Sequence, residues 1–240
     1  YQNDKAGFYT ILEELNSSDT CNALIGSLVS LAESTFGNKY SNTFCQEPLE
    51  YIMTCPFPCD DGFEKTFIEP ANLALKSTTS REQRLLINGE QTAGNLFTRF
   101  PSLFDEAQRV LKGWVAHYLE QFKNSNEGFI RNWPKKWNIH AWLVNMQSGG
   151  QLDPHIHEQG WISGSLYLTV PPPIDNAGGN LVLSLTNKRM EPDAKNEETR
   201  IIQVSNGLLC LFPSSLYHYT IPFKNKQNRL VLAFDVLPVH

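Results

Sequence analysis

Apolar residues recur at helical spacing through the first 36 positions. Phe8, Ile11, Leu12 and Leu15 share one face, and Leu24, Ile25, Leu28, Leu31 and Ala32 share another, which predicts two helices. Ser17-Ser18-Asp19 offers an N-cap for the second. The period is lost over residues 40–75, where Pro48, Pro56, Pro58 and Pro70 predict irregular structure. Residues 76–104 are polar and turn-rich, with Gln91-Thr92-Ala93-Gly94-Asn95 at their centre. Ser102 and Asp105 resemble a capping box. Beyond them Ala107, Val110, Leu111, Trp114, Val115, Tyr118, Leu119 and Phe122 form one stripe, the clearest helix of the chain, whose aromatic residues are read as core packing.

At Trp137 the pattern changes to short β-rich runs. They cover about 137–146, 152–157, 162–170, 180–185, 199–204, 207–213, 216–222 and 229–236, with Gly, Pro and Asn or Asp between them. Eight runs at this spacing predict a sandwich or jelly-roll barrel, so the fold class is mainly β with α. The expected organisation is a helical and irregular region, 1–104, packed on a core of 105–240 that holds the long helix and the strands. The polar stretch 186–198 reads as a solvated hairpin tip, with a mobile lid as the alternative.

Composition narrows the function classes. A net charge of −5, with no basic stripe, gives nucleic-acid binding little support. No apolar run approaches the roughly 20 residues that span a bilayer, and no signal-peptide pattern opens the chain. The first residue is Tyr1 rather than Met, as expected of a domain excised from a longer protein. The five cysteines, Cys21, Cys45, Cys55, Cys59 and Cys210, are odd in number, and Cys55-Pro-Phe-Pro-Cys59 lacks redox or zinc-knuckle spacing. Reduced thiols in a cytoplasmic protein are expected, with a structural zinc or a disulfide near 45–59 as the alternative.

The chemistry-bearing feature is His155-Ile156-His157 with a distant His218. Pro154 biases its flanks toward extended backbone, and residues i and i+2 of a strand share a face. A barrel would return His218, after Gly-Leu-Leu-Cys-Leu-Phe-Pro, to the same mouth. Three imidazoles suit iron, zinc, copper or nickel. The alternative is three histidines with ordinary hydrogen bonds. His117, His140 and His240 have no HxH or HxD partner and are left out. Arg229 lies in the apolar strand Arg-Leu-Val-Leu-Ala-Phe, where a charge must be paired, and a guanidinium grips a carboxylate with two parallel hydrogen bonds.

The stretch Pro-His155-Ile-His157-Glu-Gln-Gly-Trp-Ile-Ser163-Gly164-Ser-Leu-Tyr167-Leu resembles a motif of the 2-oxoglutarate (2OG)/Fe(II) oxygenases. So does Gly-Leu-Leu-Cys-Leu-Phe212-Pro213-Ser214-Ser-Leu-Tyr-His218, followed by Arg229 on the closing strand. Together they are similar to the HxHP…SGxYYLxxP and LFPSxLxHxxxP…R pattern of the branch often found behind tetratricopeptide repeats. The resemblance covers about residues 137–238. It implies a double-stranded β-helix (jelly roll) with Fe(II) held by His155, His157 and His218. It further implies Arg229 on the distal carboxylate of 2OG, Tyr167 as a hydroxyl donor to that group, and Asn145 and Trp142 lining the co-substrate pocket. The implied reaction consumes 2OG and O2, yields succinate and hydroxylates a prime substrate. Two positions depart from the pattern: His157 stands where many members carry Asp or Glu, and Val231 stands where Ser is usual.

Two other readings remain open at this level. Gly149-x5-His155-x-His157 and Gly207-x5-Pro213-x4-His218 also match cupin spacing, although Trp161 and Ile162 stand where the cupin carboxylate belongs. A cupin-type three-His dioxygenase or isomerase would need no 2OG and no Arg229. A jelly-roll binding module without catalysis would need neither. The prime substrate is not encoded in any recognisable motif; a peptide side chain is the expectation if repeats precede Tyr1, because such repeats bind peptides.

Overall fold

The computed structural model describes residues 5–17, 21–37, 39–78, 80–81, 83–172, 177–187 and 199–239. Its framework is one curled antiparallel sheet of ten strands: β1 (Met53–Pro56), β2 (Ser80–Arg81), β3 (Leu86–Thr92), β4 (Trp137–His155), β5 (Ile162–Thr169), β6 (Leu181–Ser184), β7 (Thr199–Ile202), β8 (Leu208–Pro213), β9 (Tyr217–Thr220) and β10 (Arg229–Pro238). The order along the sheet is β1-β8-β5-β10-β4-β9-β6-β7, with β3 bridging β2 and β4. This is the jelly roll expected from the run of short strands. Most of residues 186–198 lies outside the described residues, so neither reading of that stretch is resolved.

Strand β4 joins the two halves of the roll. The runs expected at 137–146 and 152–157 are one strand, bent at a glycine pair. Residues 137–146 pair with β10, whereas Leu152 and His155 pair with Thr220 and His218 of β9. Gly149 has φ +78°, and a Cβ on Gly150 would meet the Gln147 carbonyl at 2.7 Å, so a side chain would obstruct the bend.

Alternation along β10 decides which residues face what. Leu230, Leu232, Phe234 and Val236 enter the core beneath the helices, while Arg229, Val231, Ala233 and Asp235 face the interior of the roll. The helices are α1 (Lys5–Ser17), α2 (Ala23–Phe36), α3 (Asp61–Phe63), α4 (Glu69–Ser77), α5 (Leu96–Arg99), α6 (Pro101–Gln121) and α7 (Gly128–Arg131). Helix α6 buries Phe104, Ala107, Leu111, Val115 and Tyr118 in the same cluster as the outer face of β10.

Four local expectations are corrected. Asn22 caps α2, accepting from Leu24 N at 2.8 Å and Ile25 N at 3.2 Å, whereas Ser17-Ser18-Asp19 were expected to; Ser18 and Asp19 lie outside the described residues. Helix α6 starts at Pro101 with no side-chain cap, because proline has no N–H to satisfy and holds a helical φ; Ser102 therefore falls inside the first turn. Residues 61–77 are helical through Pro70, not irregular. A π-helical stretch, Glu64–Ile68, precedes Pro70 and loosens the turn that the ring would otherwise strike. Finally, β3 sits in the polar segment 76–104; Ile87–Glu90 are exposed, so the strand carries little apolar signal.

Packing is close where β5 pairs with β10. A Cβ on Gly164 would lie 2.2 Å from Cζ and 2.6 Å from both Cε atoms of Phe234, well inside van der Waals contact. Gly164→Ala is expected to destabilise the fold by about 1–3 kcal/mol, the usual scale of core overpacking. A denaturant midpoint unchanged from wild type would contradict this.

Candidate metal centre

The interior of the roll holds a cavity of about 550 Å³. Strand parity lines it: His140, Trp142, Val144 and Met146 of β4, Ser163, Ser165 and Tyr167 of β5, and the odd-numbered residues of β10. Asn145, expected in the co-substrate pocket, has the opposite parity. Its amide hydrogen-bonds Glu90 Oε1 at 3.3 Å, and it does not line the cavity. Trp142 does line it, beside His157, with ring centroids 5.5 Å apart.

His155, His157 and His218 converge at this cavity. One ring nitrogen from each lies within 4.8 Å of the others. His155 and His218 face each other as cross-strand partners of β4 and β9, with ring centroids 4.2 Å apart. His157 lies just past the end of β4, 4.7 Å from the His218 ring. His218 is 6% exposed.

Hydrogen bonds set the tautomer of each ring. His155 Nδ1 contacts the Asp153 carbonyl at 2.8 Å, and His218 Nδ1 the Leu216 carbonyl at 3.3 Å. A carbonyl only accepts, so each Nδ1 carries the proton and leaves the Nε2 lone pair free. His157 Nδ1 is 2.6 Å from Asp235 Oδ1, which fixes the same tautomer through a carboxylate. Burial, and then the charge of His157, lower the His155 pKa to about 4. Burial, followed by His155 and His157, holds His218 well below the usual histidine range. Those two rings are therefore neutral at neutral pH, as metal ligation requires.

Arg229 faces the same cavity and is 2% exposed. Its guanidinium lies 4.9 Å from the centre of the Tyr167 ring and is hydrogen-bonded to that side chain, and Nη1 donates to Met146 Sδ at 3.5 Å. Nε has no partner, and among the described residues no carboxylate pairs with it. Burial lowers its pKa, and Tyr167 opposes that shift. A buried cation without a counter-charge is costly unless an anion completes it.

Residues 140–235, which include all three histidines and Arg229, match the family model described as 2OG-Fe(II) oxygenase. The chain carries a 2OG-Fe(II) oxygenase domain. Three solved structures share the oxygenase fold. A prolyl-4-hydroxylase from Pseudomonas putida has 11% identity and a TM-score of 0.56, over 79% of this chain and 93% of that one. A Trichoplax adhaerens prolyl hydroxylase in complex with a hypoxia-inducible-factor peptide fragment has 12% identity and a TM-score of 0.53, over 98% and 94%. HygX from Streptomyces hygroscopicus, with nickel and 2-oxoglutarate bound, has 12% identity and a TM-score of 0.52, over 81% and 87%. No curated protein sequence matches.

Fe(II) and 2OG are the oxygenase's cofactors, and the residues present fit both. Three imidazoles suit Fe(II), and Arg229, buried without a counter-charge, suits a carboxylate. Asp235 and Ser163, given no role from the sequence, line the cavity, as does His140, which was left out for want of an HxH or HxD partner. The signal for Asp235 was a second charge in an apolar strand, on the same parity as Arg229.

Proposed function

We propose that this chain is an Fe(II)/2OG-dependent hydroxylase in which His155, His157 and His218 hold the iron and Arg229 binds the distal carboxylate of 2OG. The observation that carries the reading is a buried, uncompensated guanidinium in the same cavity as three converging imidazoles. A cupin-type site or a binding module without catalysis gives that cation no task.

Bound iron, with 2OG and O2, supplies oxidation of the prime substrate coupled to decarboxylation of 2OG to succinate. The protein's own contributions are positional. His155 and His218 present Nε2 because their Nδ1 protons are committed to backbone carbonyls. Tyr167 packs its ring against the guanidinium and limits its swing, which favours two parallel hydrogen bonds to a carboxylate. Leu181, Phe212 and Val231 contribute apolar wall around the cavity.

Trp142 and His140, whose rings are 5.9 Å apart, line the wall next to His157, where a prime substrate would lie. A peptide side chain or a small molecule fits this reading; prolyl hydroxylases, one of them bound to a peptide, are among the structural neighbours. A cytoplasmic setting is supported by free thiols at all five cysteines, of which burial pushes Cys21 to about 11 and Cys210 to about 12. Among the described residues no helix is long and apolar enough to cross a membrane.

The test is succinate formation from 2OG under oxygen. Turnover, even without prime substrate, is expected to require added Fe(II) and to stop on chelation. No iron-dependent turnover together with no 2OG binding would reject the reading.

A further inference from the structure

His157 is the ligand that departs from the more usual carboxylate, and a carboxylate sits directly behind it. Asp235 Oδ1 accepts from His157 Nδ1 at 2.6 Å, across 78 residues of sequence. Asp235 is itself held. Its β5 partner Ser163 donates from Oγ to the same Oδ1 at 2.7 Å, and Ser214 Oγ lies 2.8 Å from Ser163 Oγ. Because the Ser163 proton is used on Asp235, Ser214 donates to Ser163. Ser163 and Ser214 are completely or almost completely buried. A Cβ on Gly160 would meet Ser214 Cβ at 2.9 Å, so the turn after His157 closes over the chain of hydroxyls only with glycine there.

The arrangement is directional. An ionised carboxylate only accepts, so it holds the His157 proton on Nδ1 and aims Nε2 at the other two rings. In a partly buried site its charge also makes the imidazole a better donor to a cation. We propose that Asp235, anchored by Ser163 and Ser214, is a positioning residue for His157 that supplies, one bond removed, the negative charge a carboxylate ligand would bring. This rests on the reading that the three histidines hold a metal. The design explains how a three-histidine set retains a carboxylate's electrostatics without a carboxylate ligand.

The test uses Co(II), which reports its own ligand field, on the full chain without oxygen. In Asp235→Asn, Co(II) affinity is expected to fall about 10- to 100-fold, the usual cost of losing a ligand's hydrogen-bond partner. Its visible absorption bands should also shift, and Asp235→Glu should recover part of the affinity. Ser163→Ala leaves the carboxylate but loosens it, and also removes the 3.2 Å contact of Ser163 Oγ with His157 Nδ1; a fall of several-fold is expected. Wild-type affinity and spectrum in a folded Asp235→Asn protein would overturn the proposal. If Asp235→Asn does not fold, wild-type affinity and spectrum in Ser163→Ala would do so. A wild-type chain that binds no Co(II) would overturn the metal reading itself, and the proposal with it.

Discussion

Arg229→Met is expected to do two opposite things: weaken 2OG binding by at least about 30-fold and stabilise the protein when 2OG is absent. The first effect follows from removing one partner of a buried, hydrogen-bonded charge pair, which costs about 2–5 kcal/mol. That corresponds to about 30-fold to several-thousand-fold in affinity. The second follows from the state of Arg229 without its anion. Its guanidinium is buried against Met146 and Tyr167 with Nε unpartnered. Exchanging buried ionic groups for apolar residues of similar volume is often neutral or stabilising, by up to about 1–4 kcal/mol. Loss of the Tyr167 ring contact offsets part of this, so a gain of about 1 kcal/mol is expected.

Saturating 2OG should reverse the order. Wild type gains about 2.7 kcal/mol at a ligand concentration 100 times Kd, and the variant gains little. Thermal melts with Ni(II) present, with and without 2OG and without oxygen, would show the two curves cross. Metal affinity should be unchanged. Equal 2OG affinity in the two proteins would remove Arg229 from the site.

His218→Ala should eliminate iron-dependent succinate formation and weaken metal binding by more than about 100-fold. Losing a ligand's hydrogen-bond partner already costs about 10- to 100-fold, and losing the ligand must cost more. No neighbouring histidine can stand in, because His155 and His157 are the only other rings in the cluster among the described residues. His117→Ala, on the exposed face of α6, is the control and should retain wild-type metal affinity. Metal affinity within a few-fold of wild type in a folded His218→Ala protein would mean that the cluster is not the metal site.

The strand pattern was legible from residue 137 onward because β4, β5, β8 and β10 each have a face on the helical core, and period-two alternation marks such a face. Helix 61–77 was hidden by Pro70, although Phe63, Phe67, Ala71 and Ala74 supply its buried stripe. Strand β3 was hidden because its middle is solvated. Trp142 and Asn145 were taken from the same strand, yet only Trp142 has the parity of the cavity; strand assignment without parity placed Asn145 on the wrong face.

The sequence by itself determined the histidine set, the cation and the fold class. Each is written in local spacing: an HxH pair, a strand-and-turn ending in His218, and a charge inside an apolar run. Tertiary structure alone decided how those groups are held. The bend of β4 at Gly149 and Gly150 brings His155 against His218, and the pairing of β5 with β10 sets Ser163 beside Asp235. It also decided that Arg229 is buried without a counter-charge and that Asp235 stands behind His157. Charge compensation and tautomer depend on which distant strands share a face, and a linear spacing does not contain that information.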